Sequence, residues 1–130
     1  MKAWKSVDRF QRASQWLQNK RHAHLTREVT YRRGAASVTL LATVAATPFD
    51  LVTDAGAAMT IVSRDYILRA ADLVLGGSAV TPRPGDFVDE VLAGATVSHQ
   101  VLASAGLPHW RWEDHERTTI RVHTQEVGSS

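Results

Sequence analysis

Six histidines and thirteen carboxylates are the residues of this chain best suited to chemistry, and their spacing decides which chemistry is open to them. His99, His109, His115 and His123 form no H-E-x-x-H pattern and have no acidic partner at a diagnostic offset, so no zinc-binding helix face is expected. His22 and His24 stand at i and i+2, and such residues diverge on a helix. His115, between Asp114 and Glu116, has the neighbours of an acid/base unit. Nucleophilic catalysis also needs a strained nucleophile and an oxyanion hole, and no G-x-S-x-G occurs. The absence of cysteine excludes disulfides and thiolate metal sites and makes cytoplasmic synthesis the default. The expectation is a chain with no enzymatic activity and no catalytic, cofactor-binding or metal site.

A chain of 130 residues suffices for one domain with a modest core. No apolar run approaches the roughly 20 residues of a membrane span. MKAWKSVDRFQR has no continuous apolar core, so no secretory signal is expected. The charge is unevenly divided. Up to Arg33, nine Lys/Arg stand against Asp8 and Glu28; from Gly34 onward, six stand against eleven Asp/Glu. A basic segment joined to an acidic body points to an anionic partner or to head-to-tail contact between copies.

From about Ala3 to Leu25, Gly and Pro are absent and helix formers abound, which predicts a helix. Ala3, Val7, Phe10, Ala13, Leu17 and Leu25 fall on one face, and Arg9, Arg12 and Lys20 lie away from its centre. Trp4 and Trp16 flank the stripe on opposite sides. Such tryptophans are either partly buried core residues or the anchors of an oligomer interface.

The rest reads as strands. TREVTYRR (Thr26–Arg33) alternates, Gly34-Ala35-Ala36 turns the chain, and SVTLLATV (Ser37–Val44) pairs back as a hairpin. Ala45–Pro48 breaks the pattern, with Phe49, Leu51 and Val52 as a short edge strand ended by the turn Thr53–Gly56. AMTIVS (Ala58–Ser63) is a further strand. Arg64 and Asp65 follow, and adjacent strand residues point to opposite faces, so they are not expected to pair with each other. The chain is organised around Ser63–Glu90. In it, Arg69–Asp72 is a helical turn or a bulge, Gly76-Gly77 stops an apolar run, and Pro82, Pro84 and Gly85-Asp86 build a rigid turn. Phe87–Leu92 and Thr96–Leu102 form a second hairpin, and TTIRVHT (Thr118–Thr124) closes the series. The expected fold is mainly β, a small antiparallel β-barrel or sandwich with an N-terminal amphipathic α-helix. Residues 1–26 would be the basic helix, 27–127 the barrel-like body and 128–130 a frayed tail.

A basic segment on a small barrel also suits a module for single-stranded nucleic acid. The acidic body would repel phosphates, however, and Glu113, Asp114 and Glu116 follow Trp110-Arg111-Trp112 directly. An interaction subunit fits better.

The stretches VTYRRGAASVTLLATV, IVSRDYILRAADLVLGGSAVTPRPGDFVDE and WRWEDHERTTIRVHT resemble the small head–tail joining (head-completion or neck connector) proteins of tailed bacteriophages and prophages. The resemblance covers most of the chain from Trp16 onward and rests on structural motifs. TPRPGD departs from the pattern by the extra Pro84. A tail-terminator or tube subunit could share a similar barrel. The resemblance implies a virion neck protein, made in the host cytoplasm, with copies in a ring between the portal or adaptor and the tail or tail-terminator. Genomic DNA would pass through without sequence-specific binding. Trp4, Arg9, Phe10, Arg12 and Trp16 would serve one interface of that ring, and Trp110 and Trp112 a second.

Overall fold

The structure, a computed structural model, describes residues 26–103 and 107–129. The helix expected over Ala3–Leu25 lies outside the described residues, and with it Trp4, Arg9, Phe10, Arg12 and Trp16. Strands β1 (Thr26–Arg33), β2 (Ala36–Val52) and β3 (Ala58–Arg69) run up, down and up. A single 3₁₀ turn (Ala70–Asp72) leads to a short hairpin of β4 (Val74–Leu75) and β5 (Ser78–Ala79). Then come β6 (Phe87–Leu92), β7 (Ala95–Val101), β8 (Trp110–Trp112) and β9 (Thr119–Ser129), the last running into the tail expected to fray.

All main-sheet pairings are antiparallel, in the order β3-β2-β1-β6-β7-β9, and β9 pairs again with β3. That last ladder closes six strands into a barrel. In a barrel this narrow the inward side chains must fill the interior. Alternation puts Val29 and Tyr31 of β1, Leu40 and Ala42 of β2, Tyr66 and Leu68 of β3, Val88, Val101, Ile120 and Val122 inside, all nearly or fully buried. Leu73 and Leu75 join this core at the end where β3 stops. Gly76 and Gly77, at φ of 60° and 83°, turn β4 into β5 through backbone angles that only glycine adopts at no cost.

One break expected from the sequence is absent. β2 runs through Ala45–Pro48 to Val52, with Pro48 in register opposite Val62. β1 starts at Thr26 opposite Thr43. Beyond that point one edge of β2 carries no ladder among the described residues, and a residue without an N–H is tolerated on such an edge. β3 runs beyond the expected Ala58–Ser63 through Arg64-Asp65 to Arg69. As expected, these two charges point to opposite faces and do not pair with each other, and each has its partner elsewhere in the barrel. Beyond the last β3–β9 pair, Arg64 with Thr124, β2 and β3 pair only with each other among the described residues. They form a two-stranded arm, residues 44–63.

β7 and β8 occupy one line along β9. The Leu102 N–H donates to the His123 carbonyl (3.0 Å), and the His123 N–H donates to the His109 carbonyl (3.0 Å). The chain thus leaves the line after Leu102 and returns to it at His109.

Candidate functional site

Three clusters of buried charge rim the barrel, and each ties several strands together. At the end where β1 finishes, Asp86 of the proline turn is buried. It accepts the Tyr31 hydroxyl (2.5 Å), Arg33 Nε (3.0 Å) and Nη2 (2.8 Å), and the Arg83 backbone N–H (3.0 Å). Arg33 also donates to the Thr81 carbonyl (2.7 Å). Burial alone would raise the Asp86 carboxyl, but the bonds from Arg33, Tyr31 and Arg83 outweigh it and hold it below its ordinary value. Burial and the Asp86 bond push the Tyr31 phenol up. The rigid turn therefore presents a carboxylate that locks β1 to the loop before β6.

At the opposite end Glu90 is 2% exposed. Its Oε1 accepts Arg64 Nε (2.7 Å) and the Tyr66 hydroxyl (2.6 Å), and Tyr66 lies 2.9 Å from His99 Nδ1. Arg27 Nη1 is 3.9 Å from Oε2, which has no hydrogen-bond partner among the described residues. Burial, then the Arg64 charge, lower the His99 pKa, so the ring is held neutral among these charges.

The third cluster lies on the outer wall, where β3 leaves the barrel for the arm. Asp65 faces outward yet is fully buried. It accepts Ser63 Oγ (2.5 Å), Arg121 Nη1 (2.7 Å), His123 Nδ1 (2.9 Å) and the Thr47 hydroxyl. Arg121 is held from its other side by Glu113 (2.7 Å). The Phe49 ring stands edge-on to His123, 5.1 Å between centroids, so the arm curls over β9 and covers the cluster. Burial opposes ionisation of Asp65, but its four donors prevail and bring its pKa down to about 2.

These arrangements brace the barrel. Among the described residues no group of three or more His, Cys, Asp or Glu could hold a metal ion. Asp114 accepts the Thr118 N–H (2.9 Å), the Thr119 N–H (2.8 Å) and the Thr118 hydroxyl, so it fixes the β8–β9 loop, with His115 and Glu116 exposed beside it.

Trp110 and Trp112 are half-buried, pack against the barrel core and meet each other edge-to-face at 5.2 Å. Arg111 between them is exposed. The sequence reading missed the roles of Asp65, Asp86 and Glu90. Glu90 carried a signal, since it stands two residues after the inward Val88 and shares its face. Asp65 carried none, because Arg121 and His123 reach it only through the β3–β9 register.

A family model described as a phage head–tail joining protein matches residues 7–130. Comparison with curated proteins and with solved structures gives no match.

Proposed function

The chain belongs to the phage head–tail joining family and is a structural protein of the virion neck; from that premise we propose that several copies form a ring beneath the portal or its adaptor. The ring closes the filled head and offers the tail, or its terminator, a docking surface. The observation that carries this reading is the family match over residues 7–130. A barrel braced at both ends by buried ion pairs is consistent with a part that bears load. No helix among the described residues is long and apolar enough to cross a membrane.

Of the twelve acids among the described residues, Asp65, Asp86, Asp89, Glu90 and Glu113 are in ion pairs. Glu28, Asp50, Asp54, Asp72, Asp114, Glu116 and Glu126 remain to give the surface its charge. In the proposed ring, acids of this set facing the channel keep DNA from adhering as it passes. Others receive the basic residues 1–25 of a neighbour or of the portal side, with Trp4, Phe10 and Trp16 as anchors. Trp110 and Trp112 serve a second contact.

Mass spectrometry of purified virions and of tail-less heads tests the assignment. The chain is expected in both, as a subunit added before the tail arrives. Its absence from every particle would overturn the reading.

A further inference from the structure

The arm and a cleft at the far end of the barrel have complementary chemistry. The arm leaves the barrel at the Glu90 end. One of its faces is spent on the wall, through Phe49, Thr47 and Ser63. The other, with Pro48, Asp50, Val52, Thr60 and Val62, is exposed, and Val52 is the most exposed large apolar residue described, at 76%. Asp50 and Asp54 are the only charges from Val44 to Ser63. A two-stranded ribbon is marginal by itself in water, and here only one face has a support.

At the Asp86 end lies a cleft of about 410 Å³, walled by Val80 and Trp112 and rimmed by Arg33, Thr81 and Arg83. No acid lines it. Arg33 is fixed by Asp86 and Thr81, whereas the Arg83 guanidinium makes no hydrogen bond or ion pair among the described residues. A free cation beside an indole and an aliphatic wall suits a segment that pairs a carboxylate with a branched apolar side chain.

We propose that the arm tip of one copy occupies this cleft in a second copy. Val52 sits against Val80 and Trp112, and Asp50 or Asp54 accepts from the Arg83 guanidinium, a charge-assisted pair. The two patches lie at opposite ends of one barrel, so the contact is heterologous and gives a ring when its rotation closes. This deepens the neck-ring reading and rests on it.

The chain has no cysteine, so Val52→Cys and Thr81→Cys, both at exposed positions, each supply a single thiol. The two full-length variants are mixed, oxidised free and on tail-less heads, and analysed by non-reducing gel and native mass spectrometry. The mixed disulfide should dominate over both homodimers. Adding Arg83→Glu to the Thr81→Cys chain should lower its yield about tenfold, the loss of one charge-assisted contact. Adding Asp50→Arg and Asp54→Arg to the other chain should restore it. Rings without the mixed disulfide, or with Val52→Cys homodimers prevailing, would overturn the contact and leave the ring standing. Neither rings nor disulfide, free or on heads, would overturn both.

Discussion

Asp65 ties β2, β3 and β9 together at one point, and its value depends on its charge. Its folded pKa, about 2, lies below the ordinary aspartate value of 3.8. A carboxyl shifted down in this way stabilises the fold at pH above its unfolded value, and that contribution is lost as pH falls through the folded one. The window is thus pH 3.8 down to about 2, and the contribution is about 2 kcal/mol. Asp65→Asn should lower stability at neutral pH by a similar amount and flatten the acid limb of the stability curve. Urea unfolding at a series of pH values measures both; an unchanged acid limb would show that other carboxyls govern it. His99 works in the same direction at milder pH. Its pKa is lowered by burial, so charging it destabilises the fold as pH falls below the ordinary histidine range.

At the scale of elements, the arm is held to the barrel by one ring and one carboxylate. Phe49→Ala should uncover His123 and Asp65 and cost about 2 kcal/mol, less than a fully buried phenylalanine because the site is half-open. Hydrogen exchange should quicken over residues 44–63 while β1 and β6 stay protected. Uniform loss of protection would mean that the arm is part of the barrel's own cooperative unit. The sequence made most strands legible. Alternation placed Thr26–Arg33, both hairpins and the closing TTIRVHT, since period two survives wherever one face is buried. It failed at Ala45–Pro48. There a local breaker argued for a loop, and only the free edge of β2 overrules it. Arg64 and Asp65 do point to opposite faces, as expected, but their partners Glu90, Arg121 and His123 are distant in the chain. The Asp65 and Asp86 clusters were illegible for the same reason. Arg33 and Asp86 are far apart in the chain, and nothing local says that Tyr31 points between them.

On the scale of the whole molecule, the opposed charges of the two chain segments carry the next test. Six Lys/Arg precede Thr26, against Asp8 alone, and the described body keeps seven acids without an ion pair. Arg9→Glu with Arg12→Glu should abolish head–tail joining, scored as infectious particles, and leave the circular dichroism of the barrel unchanged. Normal joining by that double variant would sink the proposed docking of residues 1–25. Added salt should weaken the wild-type contact too, since exposed charges are screened within about 10 Å at 0.1 M.

β9 pairs with β3, β7 and β8, and every one of these precedes it in the chain. A nascent polypeptide still lacking β9 holds an open sheet, with the Asp65 carboxylate stripped of Arg121 and His123 and the arm deprived of the surface that receives Phe49. Barrel closure therefore waits until β9 has left the ribosome, and pairings this distant in sequence form slowly. Timing follows from topology: a half-made subunit has no finished arm to offer, so it cannot seed a neck before its own synthesis has passed that strand.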